Sequence, residues 1–494
     1  MKNVLTAILG IALVASLLFP RQTAVPQAAM PVSQEAAPPS PAPQDPIPPP
    51  ISPAAPPPAA PDRYEAFSLA IRKAAETPGL KGSALGFCLI DGAGTVVVNV
   101  NAETAFIPAS TLKTVTTATA LQRLGPEFRF TTRLLSTAPI RDGVLDGDIV
   151  IAGEADPLLS LADLAQWVEK LKADGLKEVS GRIIGDGRFI RNSLYNDYWN
   201  WGDIGNGYGS AVSGLNLEHN RYSVSFHGGE TPGSAAAMAE LVPEVPLVKI
   251  ENLVTTGEVD SSDNVVFHGG ERTGILTFRG TVPPATDTLI TGAVPDPEAF
   301  AAWHFRAALL QAGMVVKGES CSMHSLAGHE PDAGTELLQH PSPPLLDLIT
   351  SIHATSDNHE TECLFRRMGE LAGQAPDALI RTHWKDQGLD FTGLRMEDGC
   401  GLARADHIRP LDLARLQFLA AQGPHGAAYQ ASLLSDGPVR SKGGAMSSIR
   451  SSTGYVTSSQ GGVFCFALMV NHYADSLSVS QLRRTLLDLA ACLE

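Results

Sequence analysis

The sequence predicts an α+β fold in which an antiparallel sheet is covered by helices and interrupted by a large β-rich insertion. Two strand-like runs near the start of the folded part, "SALGFCLI" and "TVVVNV", are joined by the turn signal "DGAG". Two more near the C terminus, "STGYVT" and "VFCFALMVN", flank the polar turn "SSQGG". Helix-forming segments lie between the two pairs, so one sheet built from both ends of the chain is the simplest architecture.

The middle of the chain has the pattern of short strands and tight turns. From about Phe128 to Pro341, runs such as "DGDIVIAG" and "GILTFRGTV" alternate with Asp-Gly and Gly-Gly pairs. We therefore predict a discontinuous domain at 62–127 and 342–494, built on the sheet that joins the two ends of the chain. The β-rich insertion covers 128–341 and is expected to hold an inner subdomain at about 187–290.

The N-terminal residues predict export. Lys2 precedes an uncharged apolar run, "VLTAILGIALVASLLF", which fits the apolar region of a signal peptide. Residues 1–25 are predicted to be cleaved as a signal peptide or retained as an anchor, the only membrane contact expected. A proline-rich spacer follows at 26–61. The predicted location is the periplasm.

The overall charge excludes one class of partner. The 494 residues carry 36 Lys and Arg against 52 Asp and Glu, a net charge of −16. A nucleic-acid-binding protein would need a basic surface, so no nucleic-acid partner is expected. Six cysteines in an exported chain allow disulfides, but their spacing selects no pairing.

Three short motifs carry candidate chemistry. In "PASTLKTVTTATALQRLG", Ser110 and Lys113 lie three residues apart at the start of a predicted helix and share one face. A serine there can act as a nucleophile and a desolvated lysine as its base. An N-cap serine beside a solvated lysine would give the same spacing.

The second and third motifs have equally plain structural alternatives. In "TSDNHETEC", Ser356 could relay a proton and Asn358 could bind a substrate amide, or the stretch could simply cap a helix. In "VRSKGGAMSS", Lys442 could supply a positive charge beside the nucleophile, or it could be a surface residue next to a glycine-rich turn.

Taken in order, the motifs resemble the S-x-x-K, S-D-N and K-T-G set of β-lactamases and penicillin-binding proteins. Over about residues 65–490 the chain looks like the D-alanyl-D-alanine carboxypeptidase/endopeptidase family of class C low-molecular-mass penicillin-binding proteins. Stretches such as "GYGSAVSGLNLEHN" and "DGCGLAR" agree. The interval of more than 240 residues between the first two motifs resembles this family rather than the compact β-lactamases.

The resemblance implies a catalytic role for each motif residue and a penicillin-binding/β-lactamase-like fold. Ser110 attacks the carbonyl of a D-Ala-D-X peptide and forms an acyl-enzyme, while Lys113 removes its proton. Ser356 and Lys442 return a proton to the leaving amine. Asn358 positions the substrate.

The resemblance also implies the groups that bind the substrate. The backbone N–H groups of Ser110 and Ala445 form the oxyanion hole, and the small Gly444 lets substrate lie along the strand edge. Asp156 and Arg404 recognise the peptide side chain. No metal or organic cofactor is implied, and β-lactams are expected to be covalent inhibitors.

The chain departs from the family pattern at three positions. Gly443 and Ala445 replace the hydroxyl residues of the usual Lys-Thr-Gly-Thr, and Cys400 replaces the serine of "DGSGLSR". A threonine at the first position would bind the terminal carboxylate of the substrate, so its loss affects carboxypeptidase activity more than endopeptidase activity.

We therefore predict an exported serine peptidase acting on peptidoglycan stem peptides or cross-links. The alternative is a catalytically weakened protein of the same fold that serves as a cell-wall binding or scaffolding module. A β-lactamase is disfavoured by the large insertion. The aromatic, glycine-rich stretch "WNWGDIGNGYG", Trp199 to Gly209, could contact sugar rings, but we interpret it as a loop that packs on the insertion.

Overall fold

The computed structural model describes residues 63–332 and 334–491. The predicted signal peptide and proline-rich spacer lie outside these residues, as does Cys492. Every helix within the described part is too short or too polar to cross a bilayer. The helices are α1 (Arg63–Ala75), α2 (Lys113–Leu124), α3 (Leu161–Ala173), α4 (Pro297–Gln311), α5 (Leu345–Thr355), α6 (Asn358–Ala372), α7 (Pro376–Lys385), α8 (Pro410–Gln422), α9 (Gly426–Ser432) and α10 (Ser476–Ala491).

The strands divide between one large sheet and four smaller ones. In chain order they are β1 (Ala84–Ile90), β2 (Val96–Val100), β3 (Thr131–Ser136), β4 (Ile140–Arg141), β5 (Val144–Leu145), β6 (Ile149–Gly153), β7 (Glu178–Val179), β8 (Ile183–Asp186), β9 (Arg221–His227), β10 (Ala237–Met238), β11 (Lys249–Thr256), β12 (Val266–His268), β13 (Ile275–Val282), β14 (Asp287–Ala293), β15 (Val315–Val316), β16 (Ser320–Ser322), β17 (Thr335–Pro341), β18 (Leu434–Asp436), β19 (Val439–Met446), β20 (Ile449–Thr457) and β21 (Val463–Asn471).

The large sheet joins the two ends of the folded chain. Its order is β18-β19-β20-β21-β1-β2, and every neighbouring pair is antiparallel. β1 and β21 are buried along almost their whole length, because helices cover both faces of the sheet. Their sequences are accordingly continuous apolar runs rather than alternating ones.

Two apolar cores lie on the two faces of this sheet. On one face, α1 and α10 contribute Phe67, Ile71 and Leu486 to a cluster with β1 and β21. On the other face, α2 and α5 to α8 form the largest cluster of buried residues. Val115, Ala118 and Leu121 form an apolar stripe at three-residue intervals on α2. The stripe is buried in this cluster, which fixes the helix that carries the first motif.

Residues 128–341 form the four smaller sheets, with strand orders β10-β9-β14, β11-β13-β12, β15-β7-β5-β4 and β16-β8-β6-β3-β17. They share an apolar core with α3 and α4. Phe130, Ile190 and Val212 nevertheless pack in the same cluster as α2 and α6. The domain boundaries therefore stay a prediction. The five cysteines of the described part are not bonded to one another.

Candidate active site

Ser110 lies in a short 3₁₀ helix, Ala109–Leu112, that leads directly into α2. Thr111 Oγ1 and Ser451 Oγ both donate hydrogen bonds to the carbonyl oxygen of Pro108. Ser451 belongs to β20. The turn before Ser110 is therefore held by the sheet as well as by its own helix.

Lys113 is the first residue of α2 and is fully buried. Its Nζ donates to Ser110 Oγ at 3.1 Å and to Asn358 Oδ1 at 2.6 Å. A third bond, of 2.7 Å, goes to the carbonyl oxygen of Cys400. Burial lowers the pKa of Lys113, because the charged form loses its hydration. The three acceptors around Nζ act in the opposite direction, because they favour the ammonium. A neutral amine has only two N–H groups, so in that form the Ser110 hydroxyl would donate to Nζ, as a base requires.

The second motif lies where one helix ends and another begins. Ser356 terminates α5 in a left-handed conformation, with φ of 63°. Asp357 caps α6, since its Oδ1 accepts from the backbone N–H of Glu360 at 2.9 Å. Burial would raise the pKa of Asp357, but the Arg221 guanidinium, 2.6 Å away, holds it well below its usual range. Asn358, the first residue of α6, is thereby aimed at Lys113.

Lys442 lies on β19 with its Nζ 2.8 Å from Ser356 Oγ and 3.1 Å from the carbonyl oxygen of Gly443. Burial lowers its pKa to about 7, and the nearby charge of Lys113 adds to the shift. The site therefore contains two pairs of an amine and a hydroxyl, Lys113 with Ser110 and Lys442 with Ser356.

Gly444 allows β19 to approach the serine closely. A Cβ at this position would lie 2.8 Å from the Ser110 backbone nitrogen and 2.9 Å from the carbonyl oxygen of Pro108. Any larger residue would push the strand away from the backbone of Ser110. The neighbouring Ala445 lines the same cleft as Ser110.

These side chains surround a cleft of about 410 Å³. It brings together five of the predicted site residues, with Lys113 buried beneath them. The residues that line it are Ser110, Asn200, Asp203, Tyr208, Ser356, Asn358, Gly401, Leu402, Arg404, Ala445, Met446 and Ser447.

One wall of the cleft was missed by the sequence analysis. Asn200, Asp203 and Tyr208 belong to the stretch that was interpreted as a loop packing on the insertion. The backbone carbonyl of Tyr208 accepts a hydrogen bond from Asn358 Nδ2 at 2.9 Å, which attaches this loop to the second motif. The density of aromatic and glycine residues was the available signal, but it did not indicate which side chains face the cleft.

Asp156 lies away from the cleft. It is 1% exposed, and its Oδ1 accepts from the backbone N–H of Leu158 at 2.9 Å. Its Oδ2 has no hydrogen-bond partner and lies 3.8 Å from His340 Nε2. Burial raises the pKa of Asp156 to about 6. The carboxylate that lines the cleft with Arg404 is Asp203, so this position does not support the predicted contact of Asp156 with substrate.

Replacing Asp156 with asparagine is expected to stabilise the protein above pH 6 without changing KM. A carboxyl whose pKa is raised on folding costs nothing below about pH 4, and its cost is complete above the folded-state pKa. The stability gain is therefore small near pH 4 and roughly 1–3 kcal/mol at pH 8. Thermal unfolding of both proteins across this range measures it. A raised KM would instead indicate contact with substrate.

Two groups of side chains could offer three ligand atoms to a metal: His219, Asp357 and Glu360, and Glu362, Asp398 and Cys400. In the first, Asp357 is already paired with Arg221. In the second, Asp398 accepts from the backbone N–H groups of Cys400, Gly401 and Ala403. Acyl transfer by a serine and a lysine requires neither group as a metal site.

Comparison with known proteins agrees with this fold. The solved structure of penicillin-binding protein 4 (DacB) from Haemophilus influenzae superposes with a TM-score of 0.77, at 20% identity, over 85% of this chain and 99% of that one. The predicted α+β, penicillin-binding-protein-like fold is confirmed.

The sequence comparisons define the family. The D-alanyl-D-alanine carboxypeptidase of Actinomadura sp. (strain R39) is 27% identical over 422 residues, which are 78% of this chain and 77% of that one. DacB of H. influenzae is 24% identical over 434 residues, 82% and 88% of the two chains. The model of the D-Ala-D-Ala carboxypeptidase 3 (S13) family matches residues 68–492. The chain belongs to this family, and the prediction of a serine peptidase is confirmed.

Proposed function

We propose that the protein hydrolyses the D-Ala-D-X bonds of peptidoglycan stem peptides and cross-links through an acyl-enzyme on Ser110. The observation that carries the proposal is the 3.1 Å contact between Lys113 Nζ and Ser110 Oγ at the floor of an open cleft. A nucleophile within hydrogen-bond reach of a base that is itself oriented by a third group is the arrangement that covalent catalysis needs. Asn358 is that third group.

Each step follows from these contacts. Neutral Lys113 takes the proton of Ser110 as its oxygen attacks the substrate carbonyl. The backbone N–H groups of Ser110 and Ala445 stabilise the oxyanion. The leaving amine takes a proton from Ser356, which Lys442 supplies in turn across 2.8 Å. Water then attacks the ester and gives its proton through Ser356 to Lys442, while Lys113 returns its proton to Ser110 Oγ as the acyl group leaves as the acid.

The cleft is complementary to a peptide whose side chain carries one positively charged and one negatively charged group. Asp203 and Arg404 both line it, so a carboxylate and a guanidinium face the same space. Tyr208 Oη donates to Asp203 Oδ1 at 3.2 Å, and Arg404 makes only long contacts, of 3.4 and 3.5 Å, to the carbonyl oxygen of Ser447. An ammonium group near Asp203 and a carboxylate near Arg404 would complement this pair.

Inhibition by β-lactams and export to the periplasm complete the proposal. A β-lactam offers Ser110 a strained amide in place of the peptide bond. The H. influenzae protein has been solved in complex with a β-lactam. The apolar N-terminal run and proline-rich spacer support a periplasmic enzyme.

The proposal is tested by adding a fluorescent penicillin and, separately, cross-linked muropeptides to the wild-type protein. We expect a covalent fluorescent band and release of uncross-linked peptides or of D-alanine. Binding to sacculi without either signal would overturn the proposal and favour the cell-wall binding module, to which the substitutions at Gly443 and Ala445 point.

Replacing Gly443 with threonine is expected to increase carboxypeptidase activity. A Cβ at Gly443 meets nothing nearer than the carbonyl oxygen of Ser451 at 4.0 Å, and residues two apart on a strand share a face, here with the cleft-lining Ala445. The added hydroxyl can bind the free carboxylate of a pentapeptide, so KM for that substrate should fall about tenfold.

The Gly443→Ala variant is the matched control, because it adds a Cβ without a hydroxyl. It should leave both activities near the wild-type level, and the threonine variant should leave cleavage of cross-links unchanged. An equal gain in the two variants would show that the hydroxyl is not responsible.

A further inference from the structure

Three aromatic side chains are exposed on the loop that forms one wall of the cleft. Tyr198, Trp201 and Tyr208 are 47%, 67% and 50% exposed, and all three lie within eleven residues. Isolated exposed aromatics are common on soluble proteins, but a group of them beside a binding cleft is typical of a contact surface. Trp201 is the largest and most exposed of the three.

The Trp201 ring stacks on the ring of His268. Its ring centroid lies 6.0 Å from that of His268 on β12, and the two planes are 18° apart. The imidazole covers part of one face of the indole. With two thirds of the residue exposed, the remaining surface is open to a flat partner.

The turn that carries Trp201 is anchored on both sides. Before it, the indole nitrogen of Trp199 donates to Asp398 Oδ2 at 2.8 Å. After it, Asn206 Oδ1 accepts from the backbone N–H of Phe267 at 3.1 Å, and its Nδ2 donates to the carbonyl oxygen of Gly202 at 2.7 Å. A rigid turn presents the ring without the entropy cost of ordering it on binding.

The same turn reaches the cleft. Asn200, next to Trp201 in the chain, and Asp203 both line the cleft that contains Ser110. Asn200 Nδ2 donates to Asp203 Oδ2 at 2.9 Å, which links the two residues within the turn. A ligand that extends from the cleft along this wall therefore reaches the turn that carries Trp201.

We propose that Trp201 is a stacking platform for a pyranose ring of the glycan strand to which the stem peptide is attached. This inference rests on the proposed function, since it names a second part of the same substrate. The C–H face of a pyranose is apolar and weakly positive, and it matches the negative face of an aromatic ring. The amino sugars of the strand are neutral once the peptide is linked to them, so the net charge of −16 does not oppose their binding as it would oppose a nucleic acid.

The consequence is a preference for muropeptides over free peptides. A peptide alone fills the cleft, whereas a disaccharide peptide also covers Trp201. The sugar makes the same contact before and after acylation, so it lowers KM and leaves kcat unchanged.

The test is steady-state hydrolysis of a free stem pentapeptide and of the same peptide linked to its disaccharide. The Trp201→Ala variant is expected to raise KM for the disaccharide substrate about three- to tenfold and to leave the free peptide unaffected. Trp201→Phe, which retains an aromatic face, should recover most of the loss. Leu247→Ala removes another exposed apolar side chain, 84% exposed and outside the cleft lining, and should change neither substrate.

Two results with this variant would overturn the inference. An equal rise in KM for both substrates would mean that Trp201 contacts the peptide, and an unchanged KM for both would mean that it contacts neither the sugar nor the peptide. If the wild-type protein hydrolyses neither substrate, the proposed function fails, and titration with glycan oligomers free of peptide decides the inference separately. Binding to the wild type that is lost in Trp201→Ala supports the platform, and equal or absent binding rejects it.

Discussion

Replacing Ser110 with alanine is expected to abolish covalent labelling by penicillin and to lower peptide hydrolysis by roughly 10⁴-fold or more. The hydroxyl oxygen forms the bond to the acyl group, and the alanine side chain has no atom that can replace it. Gel fluorescence and the mass of the intact protein measure the loss, because an acyl-enzyme adds the mass of the inhibitor.

Stability and a second serine provide the controls for this variant. Alanine removes one oxygen from a position that is only partly buried, so the unfolding temperature should change by a few degrees at most. Ser435→Ala, on an exposed edge strand, should label like the wild type. Labelling that persists in Ser110→Ala but disappears in Ser356→Ala would assign the nucleophile to the second motif instead.

The parts of the site that depend on local spacing could be predicted from the sequence. Ser110 and Lys113 share a helical face whatever the rest of the chain does, so their contact follows from the three-residue interval. The apolar stripe of the following helix likewise predicts that its inner face is buried, as found for Val115 and Leu121. Patterns of this kind are set by the geometry of one element.

The parts that depend on long-range packing could not be predicted. The wall containing Asp203 is fixed by bonds from Trp199 to Asp398 and from Asn358 to Tyr208, which link residues about 150 to 200 positions apart. No local pattern encodes those contacts. The resemblance to a family therefore identified the motifs, but it gave no indication of Asp203, the carboxylate that lines the cleft.

The surroundings of Asp156 also depend on long-range packing and could not be predicted from the local sequence. Its surroundings include His340, which reaches it because β17 pairs antiparallel with β3 across some 200 residues. An Asp-Pro pair shortly after a strand is equally compatible with a substrate contact and with a buried turn. Only the pairing of the strands distinguishes the two.

Replacing Lys113 with methionine is expected to slow acylation by about 10²–10⁴-fold, the usual contribution of a general base. Methionine fills most of the same volume but cannot accept the proton of Ser110. It also leaves Asn358 Oδ1 and the carbonyl of Cys400 without their donor, so the variant should lose stability as well. Stopped-flow acylation by a chromogenic β-lactam measures the rate, and thermal unfolding confirms that the variant is folded.

The Lys113→Arg variant separates base catalysis from positioning. Arginine keeps a donor for Asn358 and Cys400, but its guanidinium does not lose a proton in this pH range. Burial lowers the pKa of Lys113, so wild-type acylation should rise with pH as the amine becomes neutral, and the arginine variant should remain slow at every pH. If Lys113→Arg acylates at the wild-type rate, the side chain acts only as a hydrogen-bond donor. The proton of Ser110 must then leave by another route, and Ser356 with Lys442 is the other hydroxyl–amine pair of the site.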